Sequence, residues 1–485
     1  MRRSGILMHI SSLPSRYGIG KLGASAYQFA DFLKKSGVSV WQILPLSPTS
    51  YGDSPYQSFS AYAGNPYFID FEQLEEQGLL EHTDYADANW GSPNKVDYER
   101  LYQMCFPILK KAFQAFDRTN PDYVAFCEKH RAWLPDYALF MALKFAHNGK
   151  AWTEWEPELA MRNAESLQKA RSKYVEDVQF FQVIQYWFYS QWDKLKTYCN
   201  ENGISLIGDM PIYVSYDSVE VWAQPELFEL DRQHRPIAVA GCPPDVFSPT
   251  GQLWGNPLYD WDYHKKTGYA WWIQRLAFAT SIYDTVRIDH FRGFESYYSI
   301  PYGNPTAEIG EWRKGPNTAL FKAAQAALGD LSIIAEDLGF ITPEVQKMLD
   351  ACGYPGMKVT QFAFSDGAKN TYLPQNYKTT NCVAYTGTHD NMTLNGWVYG
   401  ASDKEISFAK RYLRVRDRKD LPESMLRITW GSIADHWSGA GFLARTGKRS
   451  DEYAVNCVRQ LAVSHHRQAV QPQAFQENLS VKRIV

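Results

Sequence analysis

Three short stretches combine carboxylates with basic groups in a way that suits acid–base and nucleophilic chemistry: TVRIDHFRG at 285–293, IIAEDLG at 333–339 and YTGTHDN at 385–391. Each begins in a strand-like run and gathers its charged residues towards its end and beyond it. Strand alternation puts Val286 and Ile288 on one face and Arg287 and Asp289 on the other. If the runs are neighbouring strands, Asp289, Glu336 and Asp390 converge on one cavity with Arg287 and His389. Two carboxyl groups about 5 Å apart can cleave a glycosidic bond, one as nucleophile and one as acid/base. The acid must keep its proton, through burial or neighbouring negative charge, and Asp390 is the expected neighbour of Glu336. Arg287 would hold Asp289 ionised. Plainer readings exist: Arg-x-Asp as a structural ion pair, Glu-Asp as a helix cap, His-Asp-Asn as a turn. Their recurrence at matching positions argues against three coincidences.

The elements that must position them can be read along the chain. Apolar runs end in polar, Gly- or Pro-containing loops at Gly5–Ile10, Val38–Leu46, Ile204–Ile207, Thr285–Ile288, Ser332–Ala335, Met357–Phe364 and Cys382–Tyr385. Amphipathic patterns over Ala26–Lys35, Tyr186–Asn200, Ala270–Ser281 and Thr318–Leu328 predict helices between most of them. Strand, loop and helix in repetition predict an α/β fold, a (β/α)8 TIM barrel with large insertions, its site built at the carboxyl ends of the strands. A doubly wound sheet is the alternative, without a GxGxxG turn to favour it. Residues at about 49–203 break the rhythm with helical segments over Phe113–Leu134 and Pro157–Val178, and read as an insertion.

Composition removes other classes. Net charge is −3 in 485 residues, so there is no basic footprint for nucleic acid or an acidic membrane. No run is long enough to span a bilayer, and Met1-Arg2-Arg3 precedes too short an apolar run for an export signal. Seven scattered cysteines predict reduced thiols in a cytoplasmic protein, with no metal site. Aromatics reach 15%, many in Gly/Pro-rich loops where rings can stack on sugars, although core packing explains most of them.

Taken with GILMHISSLPSRYGIG, WQILPLSPTSYGDSPYQSFSAYAGNPYFI, IGDMPIYVSYDSVEVW and AGCPPDVFSPTGQLWGNPLY, these stretches resemble the 4-α-glucanotransferases called amylomaltases or disproportionating enzymes, relatives of the α-amylases, over about residues 4–435. The resemblance implies Asp289 as nucleophile, Glu336 as acid/base and Asp390 as transition-state stabiliser. It implies substrate contacts from Arg287, His389, Asp209 and Tyr56, with His290 counted beside them. Cys242–Trp254 matches a lid loop whose Gln252 and Trp254 reach the glucan; Cys242 and Val246 depart from the valine and aromatic expected there. The implied partners are a maltodextrin donor and a glucose or glucan acceptor, with no cofactor. An α-amylase-type hydrolase and a non-catalytic glucan-binding relic are the competing readings.

The resemblance stops at Asp435. Residues 436–485 carry no readable strand, which leaves the C-terminal eighth strand in doubt and divides the chain into a catalytic barrel at 1–435 and an atypical tail. Shifted-frame resemblance to the expected family ending points to a frameshift near residue 436. A barrel without its eighth strand would expose two edges.

Overall fold

The protein is described here by a computed structural model covering residues 2–92, 95–245 and 248–438. Its strands, in chain order, are β1 (Arg3–Leu7), β2 (Val40–Gln42), β3 (Ser205–Met210), β4 (Ala238–Cys242), β5 (Gln252–Pro257), β6 (Thr285–Ile288), β7 (Ser296–Pro301), β8 (Glu311–Lys314), β9 (Ile333–Ala335), β10 (Gly356–Val359), β11 (Cys382–Tyr385) and β12 (His436–Ser438). Eight of them form one parallel sheet in the order β10-β11-β12-β1-β2-β3-β6-β9. The two ends meet where the Ala335 N–H donates to the Pro355 carbonyl at 2.9 Å and the Met357 N–H donates to the Asp337 carboxylate at 2.5 Å.

The barrel interior follows from alternation. Val40, Ile207, Ile334, Met357, Val359, Val383 and Tyr385 form one cluster drawn from five strands, which only the inside of the barrel can assemble. Two residues beyond Ile207 and Ile334 on the same faces come Asp209 and Glu336, so the strands that fill the core also deliver carboxylates to its upper end. The opposite faces of β3, β6 and β9 (Leu206, Met210, Val286, Ile288, Ile333, Ala335) pack with the surrounding helices in the main apolar cluster. Gly208 is required there: a Cβ would stand 2.2 Å from the Tyr283 ring.

The helices expected at Ala270–Ser281 and Thr318–Leu328 are found at Ala270–Ile282 and Thr318–Leu328. The helix read from Tyr186 begins earlier, at Val175, because Phe180, Phe181, Val183 and Ile184 are buried around more than one face and blur the period. The single helical segment expected over Phe113–Leu134 is several pieces, Tyr98–Ala115, Pro121–Lys129 and the start of Leu134–Ala146. Asn120 caps a new helix there, accepting the N–H groups of Asp122 and Tyr123, with Pro121 at its first turn.

Two expectations are corrected. First, the chain builds a second, antiparallel sheet in the order β5-β4-β7-β8. The stretch taken as a lid loop therefore starts on β4 at Cys242 and ends on β5, where Gln252 pairs with Cys242. Gly241 and Gly255 and a register shift between Val239 and Gly241 hide the period-2 signal. Val246 lies outside the described residues. Second, the eighth strand exists: His436, Trp437 and Ser438 pair in parallel with Arg3, Ser4 and Gly5 of β1 and with Val383, Ala384 and Tyr385 of β11. Three residues are too few for an alternation signal, and the slot between β1 and β11 selects them. Residues 439–485, which carry the rest of the tail and the frameshift reading, lie outside the described residues.

Arg2 locks this seam. Its guanidinium donates to the carbonyls of Trp430 at 2.9 Å and Ser432 at 2.5 Å, and the Arg3 N–H donates to the Asp435 carbonyl at 3.1 Å. A chain ending at Asp435 is expected to lose cooperative unfolding and to aggregate, because β1 and β11 then present open edges. Circular dichroism melting and light scattering check this; an unchanged midpoint would show that the seam closes without β12.

Candidate active site

Arg287 is only 2% exposed, and it needs anions. In the β3–β6 ladder it lies opposite Asp209, and its Nη1 reaches both Asp209 oxygens at 2.7 Å. Its Nη2 lies 3.0 Å from Asp289 Oδ1, so one guanidinium bridges two carboxylates. Burial works against the charge, yet Asp209 and Asp289 together hold Arg287 protonated well beyond its ordinary range. The ion-pair reading of Arg-x-Asp is thus correct, but the pair stands at the mouth of the barrel with Asp289 still 29% exposed.

The β6–β9 ladder continues past the strand ends and sets the next carboxylate. Glu336 N–H donates to Ile288 O at 3.0 Å and Phe291 N–H to Glu336 O at 3.1 Å. Between them His290 turns into the left-handed region, φ 47° and ψ 48°, unusual for a side-chain-bearing residue. That turn aims the His290 N–H at Glu336 Oε2 (2.8 Å), while Leu338 N–H donates to Oε1 (2.8 Å). Glu336 caps no helix; the following one, Pro343–Cys352, is capped by Thr342.

Burial raises both carboxyls, Asp289 to about 8, and Arg287 opposes the shift without cancelling it. Two expectations change accordingly. Arg287 alone does not keep Asp289 a strong acid. The neighbouring negative charge that raises Glu336 is Asp337, whereas Asp390 acts on Asp289.

Asp390 does not end β11; it lies five residues past Tyr385 in a turn closed by Asn391, whose Oδ1 accepts from Thr388 N–H at 2.8 Å, and its side chain is 65% exposed. His389 Nε2 is 3.3 Å from Asp390 Oδ1. Tyr56 completes the cluster: its hydroxyl is 2.6 Å from Asp209 Oδ2 and 2.8 Å from His389 Nε2, and its ring stacks on His389 at 7°. Burial lowers His389, so its ring is neutral near pH 7, and the buried Nδ1 has no protein partner.

Trp254 stands edge-on to His290 at 4.8 Å between ring centroids, and its Nε1 donates to Gln252 Oε1 at 3.1 Å. Burial lowers His290 to about 3, and its Nε2 is also unpartnered. The ten residues singled out from sequence are thus linked to one another by contacts or by mutual fields at this end of the barrel.

Sequence reasoning missed three contributors. Gln57, inside SPYQ, donates through Nε2 to Trp254 O at 3.2 Å and to Asn256 Oδ1 at 3.1 Å, tying the Tyr56 segment to β5. Arg292, the second arginine of the opening stretch, donates to Phe340 O at 2.5 Å and lies 4.0 Å over the Trp312 ring. His9, in an otherwise apolar stretch, accepts from Leu44 N–H and is lowered to about 3 by burial and by His389.

A parallel barrel with clustered carboxylates at the carboxyl ends of β3, β6 and β9 defines an α/β-barrel enzyme class in which loops tailor the reaction. Within that class the comparisons are specific. A family profile described as 4-alpha-glucanotransferase matches residues 8–441. The chain is 47% identical to the 4-alpha-glucanotransferase of Clostridium butyricum over 432 residues, covering 88% of each chain. It is 48% identical to that of Thermus thermophilus over 445 residues, covering 89% of this chain and 88% of the relative. Among solved structures, amylomaltase from Streptococcus agalactiae in complex with acarbose matches with a TM-score of 0.88 at 44% identity, covering 91% and 90% of the two chains. The chain belongs to the 4-alpha-glucanotransferase family, which are glycosyl-transferring enzymes.

Because Asp289 binds its proton more tightly when folded, the neutral form stabilises the fold, and that contribution is lost as pH rises from the ordinary 3.8 through about 8. Asp289→Asn, permanently neutral, should melt higher than wild type by a margin that grows over this window. Melting curves from pH 4 to 9 test the sign; a constant margin would contradict it.

Proposed function

We propose that the chain transfers a segment of an α-1,4-glucan to the 4-hydroxyl of a second glucan or of glucose by a retaining double displacement. The observation that carries the mechanism is the placement of Asp289 and Glu336 at the ends of the paired strands β6 and β9, with Arg287 touching only the first. Of the two raised carboxyls, Asp289 is the one in direct contact with a cation, so it takes the negative charge. Glu336 takes the proton; each of its oxygens spends one lone pair on a backbone N–H and keeps another for it.

In the first step Glu336 gives its proton to the glycosidic oxygen while an Asp289 oxygen attacks the anomeric carbon. The bond to the leaving glucan breaks and an ester to Asp289 forms. In the second step the Glu336 carboxylate takes the proton from the acceptor 4-hydroxyl, whose oxygen attacks the same carbon and releases Asp289. Asp390 and His389 face the reacting sugar from the β11 loop and meet its positive charge and hydroxyls; Tyr56 and Trp254 offer ring faces. Transfer outruns hydrolysis when acceptor occupies the cleft and water does not, a task suited to the hairpin carrying Gln252 and Trp254. We read the stretch at 49–203 as an insertion into one catalytic barrel unit and place the enzyme in the cytoplasm, in keeping with six unpaired cysteines among the described residues. No helix among the described residues is long and apolar enough to cross a membrane. The presence of β12 supports a competent barrel over a binding-only relic.

Incubation with maltotriose should yield glucose together with a ladder of longer maltodextrins and little net gain of reducing ends. Rising reducing ends would identify a hydrolase, and bound but unchanged sugar a binding protein. Glu336→Gln should lower kcat by about 10²–10⁴-fold and remove the alkaline limb of the pH profile, since that limb records loss of the acid's proton. A retained alkaline limb would move the acid role elsewhere.

A further inference from the structure

The segment that presents Tyr56 belongs to no barrel strand, yet its hydroxyl must stay on Asp209 and His389. The segment is held from below by a buried carboxylate. Glu220, 4% exposed on the short helix Val219–Ala223, accepts at Oε1 from Ser60 Oγ at 3.1 Å and from Ala61 N–H at 2.8 Å. Ser60 Oγ in turn accepts the N–H groups of Tyr62 and Ala63 at 3.1 and 3.2 Å, and Val219 N–H donates to Phe59 O at 2.9 Å.

The turn that follows Asp209, the other half of the Tyr56 contact, is held by a buried cation. Arg275, 3% exposed, donates to Pro211 O at 2.6 Å and Ile212 O at 3.0 Å, on the turn just after β3. The two charges act on each other and on Tyr62. Glu220 Oε2, Arg275 Nε and the Tyr62 hydroxyl are all buried without a protein partner. Ser60, Ala61, Tyr62 and Arg275 line the same cavity as Tyr56 and Asp209.

A carboxylate is a costly choice for holding a loop. One residue further on, Gly64 is held by a neutral amide, accepting from Gln185 Nε2 at 2.9 Å and donating to Gln185 Oε1 at 2.7 Å. Burial raises the Glu220 carboxyl, and its hydrogen bonds from Ala61 and Ser60, with the field of Arg275, oppose that shift. Glu220 holds the Tyr56 segment and Arg275 the turn after β3, and both held segments line one cavity.

We propose that Glu220 is a positioning residue for glycosyl transfer, fixing the Tyr56 segment so that the Tyr56 hydroxyl bridges Asp209 and His389. This rests on the role given to Tyr56 in the proposed function. A displacement of the order of 1 Å at such a group costs roughly 10²-fold in rate, so Glu220→Ala should lower kcat/KM for maltotriose transfer by about that factor.

A double-mutant cycle tests it. If Glu220 acts through Tyr56, the loss from Glu220→Ala shrinks to under about 3-fold in a Tyr56→Phe background, while its effect on the melting temperature is the same in both backgrounds. Equal kinetic losses in the two backgrounds would overturn the proposal and leave Glu220 a packing residue. Should Glu220→Ala not fold, Ser60→Ala, which removes the hydroxyl link to Glu220 together with its bonds from Tyr62 and Ala63, enters the same cycle with the same criterion. Wild-type transfer by Tyr56→Phe alone would instead remove the role of Tyr56, and the proposal with it; absence of transfer in the wild type would sink the proposed function first.

Discussion

The upper half of the barrel is organised by one buried cation. Arg287 sits on β6 with no route to water, so the fold has to bring it anions, and it brings two. Removing one partner of a buried, hydrogen-bonded pair typically costs about 3–5 kcal/mol, so Asp209 and Arg287 hold β3 and β6 in register as firmly as any apolar contact between them. The same geometry determines the cleft. Asp209 is the acceptor that fixes the Tyr56 hydroxyl, Tyr56 fixes His389, and Asp289 is drawn to the remaining side of the guanidinium. A second carboxylate, Glu336, then enters the field of the first, and burial raises both.

That arrangement favours chemistry at the expense of stability. Ionising carboxyls whose pKa values are raised costs folding free energy, and the unpartnered nitrogens on His290 and His389 are buried polar atoms that cost more. The rest of the molecule compensates by ordinary means. Helices cover the outer faces of β3, β6 and β9, an apolar cluster fills the barrel, and β12 removes the two edges that would otherwise remain between β1 and β11.

The second sheet gives the cleft its other wall. Placing Gln252 and Trp254 on a strand paired with β4, not on a free loop, means that their approach to His290 is set by a ladder and by the Gln57 bond to Trp254 O. In the proposed mechanism, rings on such a frame would exclude water with little ordering cost on closure and so favour an acceptor sugar over water.

By itself the sequence determined what is local. Period-2 alternation at Val286–Asp289 put Arg287 and Asp289 on one face, and period-3.6 patterns located helices such as Thr318–Leu328 to the residue, because both signals repeat within one element. Longer matched stretches carried the family likeness and, through it, the ten residues proposed for the site. Tertiary structure alone decided the rest. His436–Ser438 is a strand only because β1 and β11 leave a slot for it. Strands β4, β5, β7 and β8 form a sheet although glycines and a register shift erase their alternation. Tyr56 meets His389 across 333 residues of chain, and Glu220 meets Ser60 across 160. Such contacts have no local period to be read, since the free energy that selects them appears only when distant segments are packed together.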